Sequence, residues 1–274
     1  MAGGLFEGLK KCYCGKNVTQ KHLIILFFCF LLTLPTAIAQ SKLGLEAEEA
    51  EIYGYLFQHP VLLILLMLMS FVLMLYLINF THNALKFFIW SDTQDDPEKI
   101  NAIQIMPEFN KQIFSYVGQY LGFSAVWFLI FAVLFIALIV VTTQIPVVGG
   151  ILLALAMFFV LISSPHILVG FAKTYKIKGN ISPLLLFTYT KGTILSTAWL
   201  YIKLFGLSIL LTFGFVIACF IVGVVLGMLG FNKDILQNLV IVSILSTGFA
   251  YISMLIYFAF YYSAAFIYFK KIEK

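Results

Sequence analysis

Arginine is absent from this 274-residue chain, and all 17 basic residues are lysine. Without a guanidinium there is no planar two-pronged donor for phosphate or carboxylate, which counts against any chemistry that needs one. Charge of either sign is scarce: 11% of residues are charged and 62% are hydrophobic. A soluble domain is roughly a quarter charged and about half apolar. A water-facing fold of this length cannot hide that surplus, so lipid must cover it. Cysteine is also sparse, at four residues. Cys29 and Cys219 lie inside apolar runs, where a thiol acts as a small hydrophobe. Cys12 and Cys14 form a CxC pair beside lysines, with no second pair to complete a metal site. The plain reading is two cytoplasmic thiols, and the sharper ones are metal capture or palmitoylation.

Catalytic signatures are missing as well. There is no HExxH, no GxxxxGK[ST] and no glycine-flanked serine elbow. These absences predict a protein that is not an enzyme, with no cofactor and no metal.

What the chain does have is long apolar runs. They predict spans at 23–39, 61–80, 118–141, 146–171, 204–229 and 239–269, the third and fourth forming a tight hairpin across Thr142-Thr143-Gln144-Ile145. The expected fold class is all-α: a polytopic transmembrane helical bundle of about six spans, with interfacial helices on the cytoplasmic face. Residues 1–22 form a cytoplasmic N-terminal segment, and 23–274 form a single membrane domain. Two helices are expected at the membrane surface, 97–117 and 181–203. The second is apolar enough to cross, but crossing would place Lys191 near mid-bilayer at a cost of about 2.5–3.5 kcal/mol. With both termini in the cytoplasm, every lysine except Lys42 and Lys233 falls inside. This positive-inside asymmetry orients the chain in a cytoplasmic membrane. The outer side holds Glu46, Glu48, Glu49, Glu51 and Asp234. In this arrangement the net charge of +5 points to anionic headgroups, not nucleic acid.

The stretch "TLPTAIAQS" poses a separate question. Ala37-Ile38-Ala39 after a lysine-bearing leader and an apolar core has the form of a signal-peptide cleavage site. It equally fits a retained first span, which is the preferred reading because neighbouring helices would lose a packing partner. The acidic loop around Glu48, Glu49, Glu51 and His59 is expected to be a solvated helix, since no calcium-loop pattern is present. Asp96-Pro97-Glu98 reads as a helix start.

Two glycine pairs, Gly118/Gly122 and Gly223/Gly227, have the GxxxG spacing that lets helix backbones approach in lipid. They predict close helix contact within the bundle, or alternatively a homodimer seam. Lysines beside aromatics (Lys86 and Trp90, with Phe87 and Phe88 between; Lys173, Tyr175, Lys176 and Lys178) are the expected headgroup contacts. Intramembrane ionisable groups usually mark transport or proton relay. The predicted spans have none in their middles, and His166 beside Pro165 is expected near the inner interface.

The stretches "LFEGLKKCYCGKNVTQKHLIILFFCFLLTLP" and "QIPVVGGILLALAMFFVLISSPHILVGFAKTYKIKGN" resemble the six-helix membrane module of bacterial glycerophosphodiester phosphodiesterases and its stand-alone relatives. The resemblance implies a helical membrane module and carries no catalytic residues, because the phosphodiesterase barrel is absent. Together these readings predict a non-catalytic scaffold, assembly or lipid-interacting module, with a membrane-protein partner or homodimer as its protein contact. The alternative is a carrier or exporter of an apolar or lipid-like solute.

Overall fold

Hydrocarbon offers no partner for backbone N–H and C=O groups, so a long apolar run placed in it must satisfy them internally, as a helix. The computed structural model describes residues 4–14, 16–44, 47–93, 104–108, 114–177, 180, 182, 184–228 and 239–273. Among them the chain is all-α, with no strands. The order is α1 (Leu5–Cys12), α2 (Val18–Leu43), α3 (Glu49–Gln58), α4 (Pro60–Thr93), α5 (Val117–Gln144), α6 (Pro146–Thr174), α7 (Leu184–Met228) and α8 (Leu239–Tyr268). A short π-helical turn, Phe269–Glu273, follows α8. Six of these helices, α2 and α4 to α8, are long and apolar enough to cross a membrane.

Three expectations change. The stretch 181–203 is not a helix separate from the span 204–229: from Leu184 on, both belong to α7, a single helix of 45 residues. Nothing in Leu184–Met228 forces a break, since it contains no proline. The span 61–80 likewise extends to Thr93, and Phe87 and Phe88, between the expected headgroup contacts Lys86 and Trp90, are buried core residues. Of the surface helix expected at 97–117, residues 97–103 and 109–113 lie outside the described residues, and 104–108 are not helical.

The chain divides into two compact units. The first comprises Met1–Gly15, Ile78–Lys203 and Phe258–Lys274. Its interior is aromatic and polar. Phe80 meets Phe258, and Phe88 meets both Tyr262 and Phe266. Thr81, Ser163, His166, Thr190, Thr193, Thr197 and Ser263 are all buried. The amphipathic α1 docks closely here: a Cβ at Gly8 would come within 2.9 Å of the Ala259 Cα. α5 and α6 form a hairpin linked by Ile145 alone, as the sequence predicts, and a Cβ at Gly149 would collide with the Thr142 backbone.

The second unit comprises Lys16–Leu77 and Leu204–Tyr257. Its described cluster is apolar: Ala39 packs with Ile52 and Leu56. Ala37 and Ala39 have no exposed surface, so the small residues of the apparent cleavage site have a packing role inside α2. The expected solvated helix is α3, started by a capping box between Glu48 and Glu51. Polar links join its helices as well: Thr33 to Thr247 at 3.2 Å and His22 to Tyr251 at 2.7 Å.

Candidate functional site

The last turn of a helix leaves four carbonyls unpaired, and the C-terminus of α6 shows how the first unit answers them. His82 Nδ1 lies 2.6 Å from the Ala172 carbonyl. A carbonyl only accepts, so Nδ1 carries the proton. Tyr175 adopts a left-handed conformation (φ 52°) and donates its N–H to the Phe171 carbonyl at 2.7 Å. Asn180 donates to the Lys176 carbonyl at 2.9 Å, and its own carbonyl accepts the Trp127 indole N–H at 2.8 Å.

Tyr175 was expected at the headgroups, and the structure corrects this. It is buried, stacked on Tyr116 at 3.6 Å, and donates its hydroxyl to Asn79 Oδ1 at 3.1 Å. The left-handed turn after α6 carries it inward. Burial, and secondarily the neighbouring Tyr116 phenol, raise its pKa above the usual range.

His166 is fully buried within the protein. Its Nε2 is 2.7 Å from the Thr197 hydroxyl, and Nδ1 has no partner among the described residues. Ser163 and Ser164 bond back to their own helix, at the Phe159 and Leu161 carbonyls, so neither pairs with His166 as a nucleophile would. Pro165 has no N–H for the Leu161 carbonyl. The Tyr201 hydroxyl, 2.9 Å away, supplies that hydrogen bond instead. No metal-ligating group of three His, Cys, Asp or Glu occurs among the described residues.

Lys86, Lys173 and Lys176 are exposed and Trp90 is half exposed, while Lys178 lies outside the described residues. The structure adds lysines over aromatic faces: Lys11 over Phe87 at 4.5 Å, Lys270 over Phe266 at 4.7 Å and Lys203 over Trp199 at 5.5 Å. The last two pairs have i, i+4 spacing, a signal readable in the sequence. Such contacts hold an ammonium at the edge of an apolar surface.

The GxxxG expectation divides. At Gly122 a Cβ would come within 2.6 Å of Ile177 Cδ1, a tight approach. At Gly118 and Gly223 a Cβ would meet nothing within 4 Å, so these two make no close helix contact among the described residues. The surroundings of Gly227 lie outside the described part. Pair spacing alone does not say which face a neighbour occupies.

Between α5, α6 and the start of α7 lies a groove of about 610 Å³ whose lining side chains are all apolar. Leu129, Val133 and Ala137 form one wall, Ala156 and Phe159 the second, and Phe187 the third. The Phe159 and Phe187 rings meet at 5.3 Å. The second unit holds a smaller cleft of about 230 Å³, where Ser208, Thr212 and Ser253 interrupt an apolar lining. The groove is not legible from any one helix, because α7 supplies its third wall. No known family, curated protein or solved structure matches the chain.

Proposed function

We propose that this is a non-catalytic, lipid-interacting module of a cytoplasmic membrane, with both termini inside. The observation that carries the reading is the wholly apolar groove, which lies on the unit whose chain segments contain every lysine except Lys16, Lys21, Lys42 and Lys233. An apolar concavity suits a hydrocarbon chain, and the lysines of the same unit suit anionic headgroups. The resemblance to membrane modules of phosphodiesterases agrees with this reading and adds no chemistry of its own.

The test is the lipid complement of the protein extracted from its membrane in mild detergent, measured by native mass spectrometry. Enrichment of anionic phospholipid over the bulk membrane is expected. A bound complement identical to the bulk would remove the reading. The same groove supports a carrier of a lipid-like solute as second reading. Accelerated transbilayer movement of a fluorescent phospholipid in proteoliposomes, relative to empty vesicles, would favour that alternative.

A further inference from the structure

The groove on the first unit has a charged end. Lys191 is exposed and lies four residues after the groove-lining Phe187 on the same helix, so it sits one turn further along the same face. Lys271 comes to the same place from the end of the chain: a Cβ built at the neighbouring Gly192 would lie 3.5 Å from the Lys271 carbonyl oxygen. Its side chain is also exposed. Two exposed lysines carried by different helical segments therefore have their backbones close together near one end of an apolar trough.

Depth gives this juxtaposition meaning. With the one-residue turn at Ile145 at one face of the hydrocarbon, a core about 30 Å thick ends roughly 20 residues along each arm of the hairpin. Those points fall near Ala125 and Pro165. The buried polar groups cluster there: the Trp127–Asn180 bond, and Ser163 and His166 with Thr197. The groove, lined on the hairpin by residues from Leu129 to Ala137 and by Ala156 and Phe159, then lies within the hydrocarbon beside that boundary. Phosphates of one leaflet would lie at the level of Lys191 and Lys271.

Resting on the lipid-binding reading above, we infer that the groove holds one acyl chain of an anionic phospholipid whose phosphate is bound by Lys191 and Lys271. The apolar walls select the chain and make no distinction among headgroups. The two lysines discriminate against a zwitterionic headgroup, whose own ammonium they would repel.

The full chain in mild detergent is titrated with phosphatidylglycerol or with phosphatidylcholine of identical chains, following the thermal midpoint. A saturable rise is expected with phosphatidylglycerol, and phosphatidylcholine should need at least about tenfold more lipid for the same rise. Ala156→Phe and Ala137→Phe fill the groove from opposite walls, and Ala137 is exposed, so that variant is expected to fold. Both should lose the saturable rise yet still adsorb to phosphatidylglycerol vesicles in a salt-sensitive way. Lys191→Gln and Lys271→Gln should each weaken the phosphatidylglycerol effect by about fivefold, the factor of one basic group near an anionic surface. Equal response to the two lipids, or a wild-type response in both phenylalanine variants, would overturn the inference. If adsorption survives such a result, the broader lipid-binding reading stands. If neither saturable binding nor adsorption occurs, both are lost.

Discussion

The two units solve the same problem, filling an interior among apolar helices, by different means. In the first, close backbone approach and polar side chains work together. Gly8, Gly122, Gly149 and Gly170 all sit where a Cβ would crowd a neighbour, and buried hydroxyls, His82, His166 and Asn180 close hydrogen bonds across elements. In the second, no glycine is comparably crowded among the described residues: a Cβ at Gly54, Gly206, Gly214 or Gly223 would meet nothing, and one at Gly248 only an ordinary contact with Phe215. One of its clusters is alanine against isoleucine and leucine. Dispersion in lipid rewards close approach, since apolar burial alone has no driving force there. Glycine positions of the first unit such as Gly8 and Gly149 should therefore tolerate a side chain less well than those of the second.

The largest expected effect breaks this contrast at the hairpin. Gly149→Leu must push the Thr142 backbone aside, and should destabilise by about 3 kcal/mol or more, at or beyond the top of the overpacking range. Gly223→Leu in the second unit should stay within about 0.5 kcal/mol. Steric trapping or thermal melts in detergent compare the two, and equal losses would end the distinction. Next comes Gly8→Val, which should cost about 1–3 kcal/mol by lifting α1 off Ala259. It should also raise proteolysis between α1 and α2. Smaller again is Tyr201→Phe. It leaves the Leu161 carbonyl with Ser164 as its only described donor and should cost about 1 kcal/mol. Tyr251→Phe, at the His22 contact of the second unit, tests whether a hydroxyl matters equally there.

The smallest expected effect concerns thiols. Burial, and secondarily Cys14, raise the Cys12 pKa from 9.0 to about 12. The folded state thus holds this proton more tightly than the unfolded state. Its contribution is complete below about pH 9 and disappears as pH rises toward 12. Maleimide at pH 7.5 should label exposed Cys14 quickly and spare Cys12 and Cys29, which have no exposed surface. Peptide mapping reads the result, and fast labelling of Cys12 would mean α1 is undocked.

Much of this was legible in advance because lipid imposes length and composition on a helix. The six long helices, the hairpin around Ile145 and the solvated helix α3 follow from apolar runs, the short link before Pro146 and the lack of a calcium-loop pattern around Glu48, while the capping box of α3 was seen only in the structure. What could not be read was how far a helix continues beyond the length that hydrocarbon requires. Neither the run into "LKFFIW" nor the junction at Lys203 carries a stop signal, so α4 and α7 continue through both. Tyr175 was misplaced for a related reason: a tyrosine between lysines has interfacial composition, and only the backbone turn after α6 sends it inward. Tyr201 went unnoticed because its partner is a carbonyl that Pro165, 36 positions earlier, leaves unpaired.

The one-residue link at Ile145 has a consequence for biogenesis. Two rods so joined, and in contact at Gly149 and Thr142, leave no slack for the later arm to wait in water while the earlier one settles. α5 and α6 must leave the insertion machinery as a preformed pair, with Thr142, Thr143 and Gln144 crossing at its tip. A single lengthened turn would uncouple the two arms and let them enter in sequence.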